Sequence, residues 1–461
     1  MQKKLLGMAV ATALAAPAVA LAQSAVQVYG TVHMSANNAK FTSDNIGNGS
    51  VTKMGVTQHA SNFGLRSTET LGGGMTAWLQ AEFNVLMNRE NFGPNGAMSA
   101  RNTGLGLRGN FGNIYFGTWE TPWAQTFRLW DVGTIGGWGP TTSIIGRRET
   151  TNSGRLWNCT NIPASSAGSA TPVVASALCG FSADGSTSFG TTASSTNLGY
   201  PLWRRFGRSI FYESPLFEGV QFKVAYQPNQ GKSALATPIT GTAPNPALAP
   251  FPPSSTSGVN ANPSAWSASL TWTGLGGRAR AFAANMQAKD WTTVGQTDSG
   301  WTFGGGYDFG VVNVGATYEQ YKYKGGGTTD VSSIANNIGD VTAKQWAVGA
   351  AIPLGPGKIG LSYAKAKPLE GPISEITTPA AGNNGAFTND TGAKMFNIGY
   401  EWGLSKRTQL GFGIAKITNG NNVGFTWTGQ LINANGVVGG GAAIKPGVSQ
   451  TNTFVSMRHS F

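Results

Sequence analysis

Apolar and polar residues alternate with a period of two in short stretches along most of the chain. Val220, Phe222, Val224 and Tyr226 share one face of their stretch, and Gln221, Lys223 and Ala225 share the other. Ile359, Leu361 and Tyr363 alternate with Lys358, Gly360 and Ser362, and Phe396, Ile398 and Tyr400 with Asn397 and Gly399. Leu410, Phe412 and Ile414 alternate with Gln409, Gly411 and Gly413. Successive strand residues point to opposite sides, so this period with one apolar face predicts β-strands. The second face is Gly, Ser, Gln and Lys, which suits water better than a protein core.

Two kinds of connection join these stretches, in alternation. The short ones are Leu71–Gly74, Phe111-Gly112, Gly274–Gly277, Phe309-Gly310, Leu354–Gly357 and Gly403–Lys406. Their glycines supply the positive φ that tight hairpin turns need. The long ones are polar: Asn88–Ser99, Gln230–Pro263, Gly325–Asp340, Lys367–Gly392 and Asn419–Pro446. Stretches of about ten residues between them give roughly sixteen strands. The expected spans are 26–36, 54–69, 75–87, 100–110, 113–118, 203–213, 219–228, 264–273, 278–288, 299–309, 311–323, 343–353, 357–366, 394–402, 406–417 and 449–461.

The start of the chain is a processing signal. Lys3 and Lys4 precede the apolar run Leu5–Leu21, and Ala20-Leu21-Ala22 is a small-x-small cleavage site. Residues 1–22 therefore read as a secretory leader, with 23–461 as the mature chain. With no helix-length apolar stretch beyond it, a closed barrel is the way left to cross a bilayer, because every backbone N–H and C=O must be paired in hydrocarbon. Composition agrees: 66 glycines, only 11 % charged residues and abundant Trp and Phe, with a mean hydropathy of −0.13. Lipid-facing and lumen-facing residues cancel in such an average. A barrel of about sixteen strands encloses water instead of a packed interior.

The formal charge is +12; taking Lys3 and Lys4 from the 32 basic residues leaves 30 against 20 acids, or +10. No Lys/Arg run exceeds a pair, so nucleic acid is not the partner; small anionic or neutral solutes are. Cys159 and Cys179, with 19 residues between them, suit an oxidising destination and read as a loop staple contributing about 3 kcal/mol through the unfolded state. The connection holding them, 119–202, is out of scale for a loop and so functional or disordered. Its first part carries Trp119, Trp123, Phe127, Trp130 and Trp138, too apolar for an exposed tether, and the lumen is the place to pack it.

Several segments, in order and over the whole mature chain, resemble the Gram-negative general porins, in particular the anion-preferring trimeric branch. Ser61–Gly74 followed by Ala77–Glu82 resembles the family's second hairpin. Gly106–Gly112, Tyr115–Gly117 and Thr121-Pro122 resemble the approach to its inward-folded third loop. Phe211–Gly219 is similar to the turn after the sixth strand, and Met457–Phe461 to the closing strand, whose terminal Phe461 is read by the barrel-assembly machinery. The resemblance implies a homotrimer of sixteen-stranded pores in the outer membrane, in contact with its lipid and lipopolysaccharide. Each pore would be narrowed midway, with basic wall residues facing acids on the loop.

By position the resemblance makes Arg101 and Arg205 members of that basic wall. A third customary arginine falls at Asn62, with Arg66 four residues on and nearer the periplasmic end. Arg205 shares parity with Gly207 and Ser209, whereas Arg101 shares parity with Leu105 and Leu107 and is placed inside by the resemblance alone. Glu120 and Asp131 are the candidates for the acidic side. Lys223, Lys358, Arg458 and Glu82 are further lumen charges, since a charge on the lipid face costs about 2–4 kcal/mol near the midplane. Screening over about 8 Å leaves only charges near the narrowing in command of a passing ion.

An enzymatic barrel would need a nucleophile with an oriented base. His33, His59 and His459 fall in neighbouring segments, yet no G-x-S-x-G, H-E-x-x-H or metal-spaced cluster is present. Tyr321, Tyr323 and Trp402 fit interfacial girdles. The sequence thus predicts a cofactor-free, metal-free diffusion channel. The alternatives are a channel specific for phosphate or organic acids, or a plugged surface barrel.

Overall fold

The alternation is realised as one antiparallel sheet that closes on itself. The structure, a computed structural model, describes residues 26–42, 49–85, 101–146, 205–228, 264–289, 297–324, 341–370, 390–421, 423–427 and 447–461, with the dipeptides 154–155, 233–234, 260–261, 438–439 and 443–444. Residues 1–25, Cys159, Cys179, most of the expected long connections and the side chain of Tyr323 lie outside the described residues.

The strands are β1 (Gln27–Thr42), β2 (in two halves, Ser50–Gln58 and Asn62–Gly72), β3 (Met75–Asn84), β4 (Thr103–Gly109), β5 (Gly112–Glu120), β6 (Arg205–Glu213), β7 (Val220–Gln227) and β8 (Ser264–Gly274). They continue with β9 (Ala279–Lys289), β10 (Thr297–Asp308), β11 (Asn313–Tyr323), β12 (Val341–Leu354), β13 (Gly357–Ala366), β14 (Ala393–Gly403), β15 (Thr408–Asn419) and β16 (Ser449–Ser460). Each pairs with its sequence neighbours, and β1 pairs with β16 from Thr31↔Ser460 to Thr42↔Ser449, which closes the barrel. Phe461 completes the seam: its N–H and C=O exchange bonds with Gly30 at 3.0 and 3.2 Å.

The second strand, expected as a continuous 54–69, is interrupted at 59–61, where Ala60 adopts φ 51°. The Ser61 hydroxyl accepts the His33 N–H at 2.9 Å, and His59 N–H donates to His33 C=O at 2.9 Å. The ladder to β1 is thus carried across the kink by a side chain. At the opposite end the β2–β3 turn places Gly72, Gly73 and Gly74 all at positive φ (86°, 58° and 77°), which residues with a Cβ rarely adopt.

The two faces differ as the period-two pattern requires. Outward positions include Leu79, Leu105, Phe116, Leu270, Phe303 and Ile414, all substantially exposed on the isolated chain. Inward positions include Asn37, Ser267, Thr302, Ser362, Asn397 and Asn452, all buried. Trp402 is outward and exposed, as a girdle residue should be. Tyr321 is not: it is turned inward and fully buried, its ring 5.3 Å from that of Trp123. Its parity with Thr317 and Glu319 decides its face, whatever its place near a strand end.

Inward burial on a sixteen-stranded wall needs a cover, and residues 121–146 provide it. Thr121 caps one helical turn (Pro122–Gln125), its Oγ1 accepting the Ala124 N–H at 3.1 Å. The chain then crosses the inside of the wall. Trp130, Ile135, Trp138, Ile144 and Ile145 pack with Ala347, Ala364, Met395, Ala415 and Phe454 into one apolar cluster. No helix among the described residues is long and apolar enough to cross a membrane.

Candidate functional site

The inward segment lies in a track of missing side chains. Leu129 sits against Gly306 of β10, Trp130 against Gly315 of β11, and Gly133 against Gly349 of β12. Ile135 meets Gly360 of β13 and Gly399 of β14, and Gly136 meets Gly411 of β15. The spacing explains the match. From residue 129 to 136 an extended chain covers about 23 Å, and from β10 to β15 five strand spacings measure about 24 Å. The segment therefore advances roughly one strand for every residue and a half, perpendicular to the barrel wall strands. A methyl added at Gly315 would lie 1.9 Å from the Trp130 carbonyl oxygen, so the fit admits no side chain there.

Polar bonds fix the two ends and the middle. Trp123 N–H donates to Ser267 Oγ at 3.3 Å, Asn397 Nδ2 donates to the Trp138 carbonyl, and Gly146 N–H donates to Glu319 Oε1 at 2.6 Å. Gln345 donates to the same Glu319 oxygen. Glu319 was legible only as an acid on an inner face, alternating with Tyr318 and Gln320; its bond to a residue 173 positions away was not.

The charges predicted to line the pore fall into distinct groups. Arg101 precedes β4, and its Nε meets Glu82 Oε1 at 2.6 Å while Nη1 donates to Asn84 Oδ1 at 2.9 Å. Tyr29 OH donates to the other Glu82 oxygen at 3.0 Å. Strand parity puts Arg101 on the Leu105 face, but regular pairing stops at Thr103, and the bond from Arg101 N–H to Glu82 C=O (2.8 Å) re-aims the residue. Asn62, paired with Asn84 and Thr31, lies beside this group. Arg66 stands nearer the short-turn end, its Nε on Gln27 Oε1 at 2.8 Å and its guanidinium 5.3 Å from the Tyr29 ring centre.

Arg205 and Glu120 are direct partners in the β5–β6 ladder, 3.4 Å apart. Glu120 also binds Arg128 of the inward segment at 2.6 Å, and Asn102 Oδ1 accepts from both Arg205 Nε (3.0 Å) and Glu120 N–H (3.2 Å). The parity expected for Arg205 fails for a physical reason: Arg208 takes φ 51° and the ladder slips between Gly117↔Ser209 and Trp119↔Phe206. One extra residue on β6 puts Phe206, not Arg205, in phase with Ser209. Arg205 is nonetheless buried beside Glu120.

Asp131 is half-buried in the inward segment. Its two oxygens accept from Thr134 Oγ1 and Thr141 Oγ1, both at 2.7 Å, closing the turn of its own segment. Enclosure pushes its carboxyl above the usual range; the threonine bonds and the Lys358 charge pull the other way. Lys223 Nζ meets Glu213 at 3.2 Å and Gln125 Oε1 at 2.6 Å, Lys358 meets Glu401 at 3.4 Å, and Arg458 pairs in register with His33 and Gln409. His33 and His59 are ring neighbours at 4.9 Å under Trp138, with Ser35 Oγ 2.8 Å from His59 Nε2. His459 belongs to a different place, in contact with Thr408 at 2.9 Å.

Three comparisons bear on this geometry. The family described as Gram-negative porin matches residues 9–422. Outer membrane porin protein 32 of Delftia acidovorans is 25 % identical over 473 residues, covering 100 % of both chains. Among solved structures, an anion-selective porin from Comamonas acidovorans superposes with a TM-score of 0.58 at 21 % identity, covering 95 % of this chain and 100 % of that one. The trimer form of OmpT, an outer membrane protein of Vibrio cholerae, gives 0.51 at 14 % identity, covering 95 % and 99 %.

Proposed function

The chain belongs to the Gram-negative porin family, and from that premise we propose a trimeric, anion-leaning general diffusion porin whose narrowing is set by residues 121–146. It is a multi-pass β-barrel of the outer membrane, and its work is transport rather than catalysis. The observation that carries the finer reading is the charge balance of the inner wall. The pairs Arg101–Glu82, Arg205–Glu120, Lys223–Glu213 and Lys358–Glu401 neutralise one another in part, while Arg128 shares Glu120 with Arg205. Arg66 and Arg280 bond to the neutral amides Gln27 and Asn313. Arg108 and Arg458 fall on the same inward faces. Among the described residues the cations named here outnumber the carboxylates that share the water path with them, Asp298 and Glu319 being buried away from it, and such excess lowers the barrier for anions without covalent chemistry.

The anion-selective relative and the trimeric neighbour support the same reading. So does the apolar outer face of β3–β5, with Leu79, Leu105, Leu107, Ile114 and Phe116, on which copies can meet. The barrel would contact outer-membrane lipid and lipopolysaccharide, and Phe461 would serve assembly. Ser35 and His59 are covered by Gly137 and Trp138, so their contact reads as packing of the segment on the wall.

Swelling of proteoliposomes tests the proposal. Uptake of neutral and anionic solutes should fall smoothly with size, without saturation, and monovalent anions should outpace cations of equal size. Saturable uptake of one solute would replace the general channel with a specific one.

A further inference from the structure

We propose that the passage carries a low-affinity subsite for aromatic carboxylates, in which the ring of the solute stacks on Trp119 and its carboxylate meets Arg128. The inference rests on the channel reading above and deepens it, naming one class of anion that the passage retains.

Strand register brings four rings together on the inner face of β3 to β6. Trp78 and Tyr115 are the two cross-strand partners of Gly106, and Phe211 is the partner of Tyr115. Their neighbours Leu79, Ile114, Phe116 and Ile210 point outward and are exposed. The glycines of β4 make the room: a Cβ at Gly106 would lie 2.6 Å from Tyr115 Cβ and 2.7 Å from the Trp78 ring. Tyr115 stacks on Phe211 at 4.8 Å with 4° between planes. Trp119 stands across Trp78 and Tyr115, at 5.5 and 5.2 Å and nearly perpendicular to both. Trp78, Tyr115 and Phe211 are buried, whereas Trp119 keeps part of its surface open. With Gly104 behind it and two rings at its side, that surface faces the lumen. The water path runs along this wall. The inward segment crosses β10 to β15, while β2 to β4 lie opposite in the sixteen-stranded ring, and there the inward residues Arg66, Thr68, Thr70 and Arg108 are exposed.

Charge identifies the solute. Glu120, next to Trp119 in the chain, is shared by two guanidinium groups, Arg128 at 2.6 Å and Arg205 at 3.4 Å, so two cations meet one carboxylate and the cluster stays positive. Arg205 is buried. The Arg128 side chain is 65 % exposed, which makes it the cation that a solute beside Trp119 can reach. Glu82 and Glu213 on the same wall are held by Arg101 and Lys223 and do not oppose an anion there. A guanidinium offers a carboxylate paired N–H donors, and a flat ring gains from a second ring beyond the area it buries. An aromatic carboxylate satisfies both at once. Aliphatic acids lack the ring and neutral aromatics lack the charge, so the passage stays general for every other solute.

Chloride current through single channels of the full-length protein tests the subsite, with benzoate, cyclohexanecarboxylate, benzamide or acetate added to the KCl bath. Benzoate should block the current saturably in the millimolar range, the saturated acid and the neutral amide should block less, and acetate least. Trp119→Leu should raise the half-blocking benzoate concentration roughly fivefold, as the loss of one aromatic pair implies, and Trp119→Phe should keep it within about twofold of the wild type. Arg128→Gln should bring benzoate down to the level of benzamide. Chloride current in each variant shows that it has folded and inserted. Equal block by benzoate and cyclohexanecarboxylate, or a Trp119→Leu channel blocked as readily as the wild type, would overturn the subsite. The two readings can fail separately. A wild type that carries chloride but ignores benzoate removes the subsite and keeps the channel. A silent wild type removes the channel, and calorimetric titration of benzoate into the wild type and Trp119→Leu in detergent then decides the subsite: weaker binding by the variant supports it, and equal or absent binding overturns it.

Discussion

At the scale of single residues, the inner wall is shaped by what it lacks. Gly315 leaves room for the Trp130 carbonyl, and a β-branched side chain there would meet it far inside contact distance. Overpacking of this kind costs about 1–3 kcal/mol, and the inward segment, not the ladder, would yield. Gly315→Val should therefore leave the heat resistance of the barrel intact while open-channel current becomes noisier and its mean changes. A quiet, unaltered channel would mean that the segment is not seated there. Asp131 supplies a pH test. Its carboxyl is raised by enclosure, so its contribution is fully present below the ordinary carboxylate range, near pH 4, and is lost as pH rises through the elevated value. Protease cleavage within 121–146 should become easier as the pH is raised from about 4 in the wild type and change less in Asp131→Asn. None of this was legible as such. The sequence offered glycines and an acid, and only the register and the crossing segment say what each one meets.

At the scale of elements, parity succeeded wherever the ladder is regular and failed where it slips. Lys223, Lys358 and Arg458 were readable as inward because β7, β13 and β16 run without a bulge. Arg205 was not, because the extra residue at 207–208 shifts its phase, and Arg101 was not, because β4 starts after it. Tyr321 was misread from its place near a strand end, although its parity with Glu319 was available. The bulge has a consequence for selectivity, since it brings Glu120, Arg205 and Arg128 into one cluster at the foot of the inward segment. Glu120→Gln would leave two guanidinium groups there without that carboxylate. A unit charge at about 4 Å contributes about 1 kcal/mol even in water, so the chloride-over-potassium permeability ratio should rise roughly two- to fivefold. An unchanged ratio would place the cluster off the ion path.

At the scale of the whole molecule, the strand number and the short turns followed from period-two patterning and turn glycines, and closure from the need to pair every backbone group in hydrocarbon. They are properties of many residues at once and survive local errors. The kink at Ala60 and the lengths of β1 and β12 did not follow, since they depend on partners and not on local pattern. The central claim is that this barrel conducts and that excess positive charge along its inner wall favours anions. Single-channel recording in a planar bilayer across a KCl gradient tests it most directly. Ohmic steps in groups of three with a reversal potential on the chloride side are predicted. A reversal on the potassium side, or a protein that inserts without conducting, would contradict it.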